Sequence, residues 1–354
     1  MNRPWKRDSN GTTLVCQSSA YYPRYRDDVL RFISMPTGSH LVLRYRECHV
    51  PPETIKLLES NEAIGARALL CYADTTSLAG SCRAVPLRFG NVVESSKEGE
   101  FLLLTVRLGK YVSCIDSNRA DLEIQQSIHS PPQWENGQIK GFFLWKSDRD
   151  FADIGECGNN ETWQQVVKRL FATSEFQNET TFVRLRRVLR ASNKSPVKIN
   201  NGTLQLRDGK EYELEFMHYA PNYQKGTEEL VVESAPASLA PLGRRAISLD
   251  SSYNLELLRI RANGISEVTG GGISVYRERA GLRRFEFEIP VHISKSVFTR
   301  VLIMLGLTVV WVAQAILDQD SVVDGQYVLS SVLLGLVLSW LLVFGLNRAS
   351  GLEK

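Results

Sequence analysis

Two stretches hold residues whose types and spacing would do chemistry. The first is YYPRYRDDVLRF, where Tyr22, Arg24, Arg26 and Arg31, together with Tyr21 and Tyr25, interleave aromatic faces with guanidinium forks. Flat rings stack on such faces and phosphates pair with such forks, so the segment suits a nucleotide or single-stranded nucleic acid. The second, VRLRRVLRASNKSPVK, carries Arg184, Arg186, Arg187 and Arg190, followed by Lys194 and Lys198. It would suit phosphate or anionic lipid headgroups, and a solvated strand or helix face reads the same way.

Other chemistry is not suggested. The histidines at positions 40, 49, 129, 218 and 292 are far apart and fit neither HExxH nor a GxSxG elbow. There is no GxxxxGK[ST] phosphate loop, and Gly270 to Gly272 read as a hairpin turn between strands. Cys48 and His49 would start a metal site, but a third ligand at suitable spacing is missing. The sequence therefore implies neither catalysis nor a cofactor, although it does not exclude residues that meet only in the fold.

Composition sets the frame for these clusters. In 354 residues, 42 Lys and Arg stand against 39 Asp and Glu, so any basic surface must be local. The six cysteines are dispersed, as buried apolar residues in a reducing compartment would be. No apolar stretch of signal-peptide length opens the chain.

The elements that must position the clusters are mostly strands. HLVLRYREC, ARALLCYAD and AVPLRFGNVVESSKEGEFLLLTVRLGKYV give four or five strands, which would close into a small barrel of the SH3 or OB kind or form an open half-sandwich. EYELEF and RFEFEIPVHI alternate carboxylate or polar residues with apolar ones and anchor an immunoglobulin-like β-sandwich. Helices are expected at about Pro52 to Ser60 and in NETWQQVVKRLFATSEF, where Trp163, Val166, Val167 and Leu170 share a face.

Two apolar runs follow the last strand, Val301 to Leu317 and Tyr327 to Leu346. A spanning helix needs roughly 20 apolar residues to cross about 30 Å of hydrocarbon, so the runs read as a transmembrane hairpin. Arg283, Arg284, Lys295, Arg300, Arg348 and Lys354 flank the pair, and DQDSVVDGQ joins it. The positive-inside rule then puts both termini in the cytoplasm and the connector outside the inner membrane. Ser331, Gly335 and Ser339 form a small-residue face for helix packing, and Gln314 would bond across the bundle.

The expected fold class is thus mainly β, a barrel-like unit plus an immunoglobulin-like sandwich, followed by a two-helix transmembrane hairpin. Its divisions are a β-rich unit over 1–150 with a barrel-like core at about 40–115, a helical and basic connector over 151–199, a sandwich over 200–294, and the hairpin over 297–347. This order of parts resembles the two-helix transmembrane effectors of prokaryotic immune (anti-phage) systems. The resemblance covers architecture only and carries over no residue. It implies a sensor in which a ligand or partner engages the β-domains and clusters the hairpins, perturbing the membrane. The alternative is a passive anchored module that recruits a partner protein or nucleic acid. The partners implied are a lipid bilayer, further copies of the chain or a partner protein, and a nucleotide or nucleic acid.

Overall fold

The computed structural model describes residues 13–74, 83–113, 133–135, 138–147, 151, 154–179, 181–221, 228–235, 239–249, 252–263 and 271–294, together with Gly306. The first unit is an open mixed sheet. Its strands are β1 (Thr13–Ser19), β2 (His40–Arg46), β3 (Arg67–Asp74), β4 (Arg83–Glu98), β5 (Phe101–Ser113) and β8 (Leu144–Ser147), in the order β2-β5-β4-β3-β1-β8, with β9 (Gly155–Cys157) on β5, while β6 (Gln133–Glu135) and β7 (Gln138–Lys140) pair with each other. β1 runs parallel to β3 and antiparallel to β8. A parallel pair needs a crossover, here one that includes α1 (Pro23–Ser34) and α2 (Pro52–Glu59). The barrel expected at about 40–115 is therefore corrected. The meander is real, but the parallel β1 leaves the sheet open between β2 and β8.

α1 forms because Val29, Leu30, Phe32 and Ile33 make a buried stripe behind Pro23, which fits the first helical turn. Its last carbonyls are satisfied by side chains from three other elements. Arg88 on β4 donates to the carbonyls of Phe32 at 2.9 Å and Met35 at 2.6 Å. Tyr111 on β5 and Trp163 on α3 (Asn160–Phe171) both donate to the Ile33 carbonyl, at 2.9 and 3.0 Å. The helix is thus fixed at its carboxyl end, where unpaired buried carbonyls would be costly.

The second unit is a sandwich. One sheet orders β10 (Phe182–Arg190), β13 (Glu211–Tyr219), β17 (Tyr253–Ala262) and β15 (Leu239–Pro241). The other orders β11 (Ile199–Asn200), β12 (Thr203–Arg207), β19 (Leu282–Ser294), β18 (Gly271–Arg279), β14 (Glu228–Ala235) and β16 (Ala246–Ser248). Leu185, Leu214, Phe216 and Leu258 from the first sheet share one core with Leu230, Val275, Phe287 and Ile289 from the second. That core continues into the first unit through Phe32, Trp163 and Phe176.

A buried charge cluster joins the units. Glu179, in the link between α3 and β10, is 5% exposed and takes Arg26 from α1, Arg277 from β18 at 2.9 Å and Arg284 from β19 at 3.1 Å. Arg277 also donates to Glu286 at 3.0 Å and to the Thr181 carbonyl at 2.6 Å, while Arg284 reaches Asp27 at 3.2 Å.

No helix among the described residues is long and apolar enough to cross a membrane. That finding corrects the expected hairpin over 297–347 and the inner-membrane location drawn from it. Apart from Gly306, the two runs, with Gln314, Ser331, Gly335 and Ser339, lie outside the described residues.

Arg277→Met would leave Glu179, Glu228 and Glu286 buried without their shared cation. Urea unfolding should show a loss of about 3–5 kcal/mol, the usual cost of breaking a buried ion pair from one side. Arg187→Ala removes an exposed partner of Glu215 and should cost at most about 1 kcal/mol.

Candidate functional site

The site grows from the carboxyl end of β1. In open sheets with parallel strands, ligands sit beyond those ends, where the next helix begins. Here Gln17, Ser18 and Ser19 end the strand, and Tyr22, Arg24 and Tyr25 begin α1. The opposite wall comes from β2 and the turn after it: Arg44, Tyr45 and Arg46, then Cys48 and His49. Phe101 and Phe143 close the sides of a cavity of about 550 Å³. Small-molecule sites typically occupy roughly 300–1,000 Å³.

Backbone bonds hold these segments in place. The Gln17 N–H donates to the Phe143 carbonyl at 2.7 Å, the Phe143 N–H to the His49 carbonyl at 2.9 Å, and the Glu47 N–H to the Glu100 carbonyl at 2.9 Å. His49 Nδ1 lies 3.1 Å from the Gly141 carbonyl. A carbonyl only accepts, so Nδ1 carries the proton and Nε2 is left as an acceptor in the neutral ring.

The electrostatics are one-sided. Three arginines line the cavity and, among the described residues, no Asp or Glu does, although Arg46 lies 4.0 Å from Glu100. The Arg44 guanidinium sits 3.4 Å over the centre of the Phe101 ring, with Arg46 at 5.7 Å from the same ring. Burial pushes the Tyr25 phenol above its usual range, against the pull of Arg46, Arg24 and Arg44, so all three cations act on one ring. The amino end of α1 adds to this field. Its cap residue Tyr22 makes no side-chain cap bond and its first turn holds no acid, which leaves the positive end of the helix dipole uncompensated. Gln17 is 1% exposed, and neither amide atom has a hydrogen-bond partner among the described residues.

Of the residues singled out from the sequence, Tyr22 and Arg24 belong to this cavity. Arg26 and Arg31 do not: Arg26 binds Glu179, and Arg31 binds Asp28 at 3.0 Å and lies 5.7 Å over Phe285. The second cluster is engaged elsewhere. Arg184 is buried between Tyr111 and Trp163 and donates to Asn160 at 2.7 Å. Arg186 and Arg187 both bind Glu215, because the register with β13 slips by one residue at Arg186, between Leu185 opposite Phe216 and Arg187 opposite Glu215. Arg190 donates to Ser195 at 3.3 Å.

Sequence reasoning missed Gln17, Arg44, Arg46, Phe101 and Phe143. The alternation of Arg44 and Arg46 in HLVLRYREC was a usable signal, since two residues apart on a strand means one face. Nothing local ties that face to α1.

No family model matches the sequence, and no curated protein does. Among solved structures, the chain is similar to domains 4 and 5 of the S-layer protein SbsC, at 13% identity and a TM-score of 0.17, over 28% of this chain and 56% of that one. It is also similar to the tandem Ig repeats of Dlar, at 6% identity and a TM-score of 0.18, over 80% of this chain and 98% of that one. Likenesses this loose say nothing about the site.

Asp28, one turn below the cavity on α1, makes the site region pH-sensitive. Burial pushes its carboxyl from 3.8 up to about 6, against Arg31 and Arg24. A carboxyl raised in the fold holds its proton more tightly there than in the unfolded chain. Its contribution therefore favours folding below pH about 3.8 and is lost as pH rises through about 6. Asp28→Asn should remove that slope. The variant should be about 1–3 kcal/mol more stable than wild type above pH 7 and show no gain near pH 4, as read from melting curves across pH.

Proposed function

We propose that this chain is a binding module that takes a small anionic ligand bearing a flat ring, a nucleotide, in the cavity between α1 and β2. The observation that carries the reading is a cavity lined by Arg24, Arg44 and Arg46 and by aromatic rings, with no carboxylate in its walls among the described residues. Phosphate oxygens pair with guanidinium forks and helix N–H groups, and a base stacks on the ring faces. A strand of nucleic acid fits less well. It needs a cationic track, and Arg26, Arg31, Arg184, Arg186 and Arg187 are bound to other side chains.

This proposal keeps the sensor half of the expected function. α1 begins at the cavity and, one residue past Tyr25, enters the charge cluster with Arg26 and Asp27, so a ligand that holds Arg24 also bears on the junction with the sandwich. Effectors of the kind the sequence resembles act through a spanning helix, and the proposed role is recognition alone.

Isothermal titration with AMP, ADP and ATP at physiological salt should detect binding to the wild-type chain. Arg44→Ala with Arg46→Ala should weaken it about 10–100-fold, the loss of charged hydrogen bonding worth about 1.5–3 kcal/mol in all. Arg186→Ala with Arg187→Ala should leave it unchanged. No binding by any of the three, or equal losses in both pairs, would contradict the reading.

A further inference from the structure

A second surface lies on the sandwich, away from the cavity. β17 is hydrogen-bonded to β13 along its whole length, but on its other side β15 reaches only Ile260, Arg261 and Ala262, and Leu242 adds one bond to the Arg259 carbonyl. Backbone groups alternate sides along a strand, so Leu255 and Leu257 direct theirs the same way as Arg259, toward an edge that no strand fills among the described residues. Asn254 turns its side-chain oxygen onto the Leu255 N–H at 2.8 Å, the one bond made there among the described residues. The side chains along this edge are unusual for solvent: Tyr253, Leu255 and Leu257 are 39%, 40% and 43% exposed on one face. A free edge with exposed apolar residues is a site for adding a strand.

We infer that this edge pairs with the same edge of a second copy of the chain, antiparallel and centred on Leu255. The sequence of the edge is complementary to itself in that register. Leu255 meets Leu255 of the other copy, Tyr253 meets its Leu257, and Asn254 meets its Glu256, so apolar residues face apolar ones and an amide faces a carboxylate. A shift of one residue would set Leu255 against Glu256 and lose each of these matches. Charge also permits the pairing, because the cations nearby are already held: Arg244 by Glu256, Arg259 by Glu213 and Arg261 by Glu211. Two copies thus approach without a row of free like charges, and a charged foreign peptide finds little to read.

Cysteine cross-linking in the full chain tests both the surface and the register. Leu255→Cys places two thiols directly opposite across the pair, within the roughly 4.4–6.8 Å between Cα atoms that a disulfide needs. Leu257→Cys places its two copies four residues apart, on the order of 13 Å. After mild oxidation, a non-reducing gel should show a linked dimer for Leu255→Cys at several times the level in wild type, whose exposed Cys48 sets the background, and no such rise for Leu257→Cys. Light scattering should show a wild-type dimer that Leu255→Lys converts to monomer. A wild-type monomer at all concentrations, linking of Leu255→Cys no stronger than wild type, or preferential linking at Leu257→Cys would each overturn the inference.

Discussion

The structure depends on one buried carboxylate. Glu179 sits in the link between the two units, and the three arginines that reach it come from α1, β18 and β19. Charges this deep are tolerable only when paired and fully hydrogen-bonded. Arg277 meets that condition with Glu179, Glu286 and the Thr181 carbonyl, and Thr181 in turn donates to Glu228. The crowding of cations shows in Arg26, whose guanidinium burial and the neighbouring Arg284 and Arg277 hold below its usual range. Such a cluster is satisfied in one arrangement of the two units, and an apolar junction would be more permissive.

α1 carries that constraint to the cavity. Its carboxyl end is pinned by Arg88, Tyr111 and Trp163, and its middle by Arg26 and Asp27. Only its first turn is left without side-chain partners at the cap, and that turn faces the cavity. The helix therefore presents its positive end to the site from a fixed position, which is what recognition of an anion requires.

Much of the sandwich was legible because its strands alternate apolar residues that fall on the core face. EYELEF became β13 with Tyr212, Leu214 and Phe216 inward, and RFEFEIPVHI became β19 with Phe287, Ile289 and Val291 inward. Phe285 broke the pattern: an extra residue in β19 at Glu286 turns that carboxylate in toward Arg277 and leaves Phe285 against Arg31. The first unit was harder to read. β1 is buried on both faces, so TLVCQSS shows no alternation, and the arginines of YYPRYRDDVLRF concealed the apolar stripe of α1. Without that strand and helix the cavity has no visible walls, and the basic clusters can be read only from residue type and spacing. Charge misled where carboxylates distant in sequence, Glu179 and Glu215, neutralise the arginines.

Hydrogen exchange of the full chain with and without saturating ATP tests the central claim most directly. The account predicts slowed exchange in 17–25 and 44–49, the two walls of the cavity, with a smaller effect reaching 277–286 through α1. Protection confined to 182–198, with the cavity walls unchanged, would contradict it.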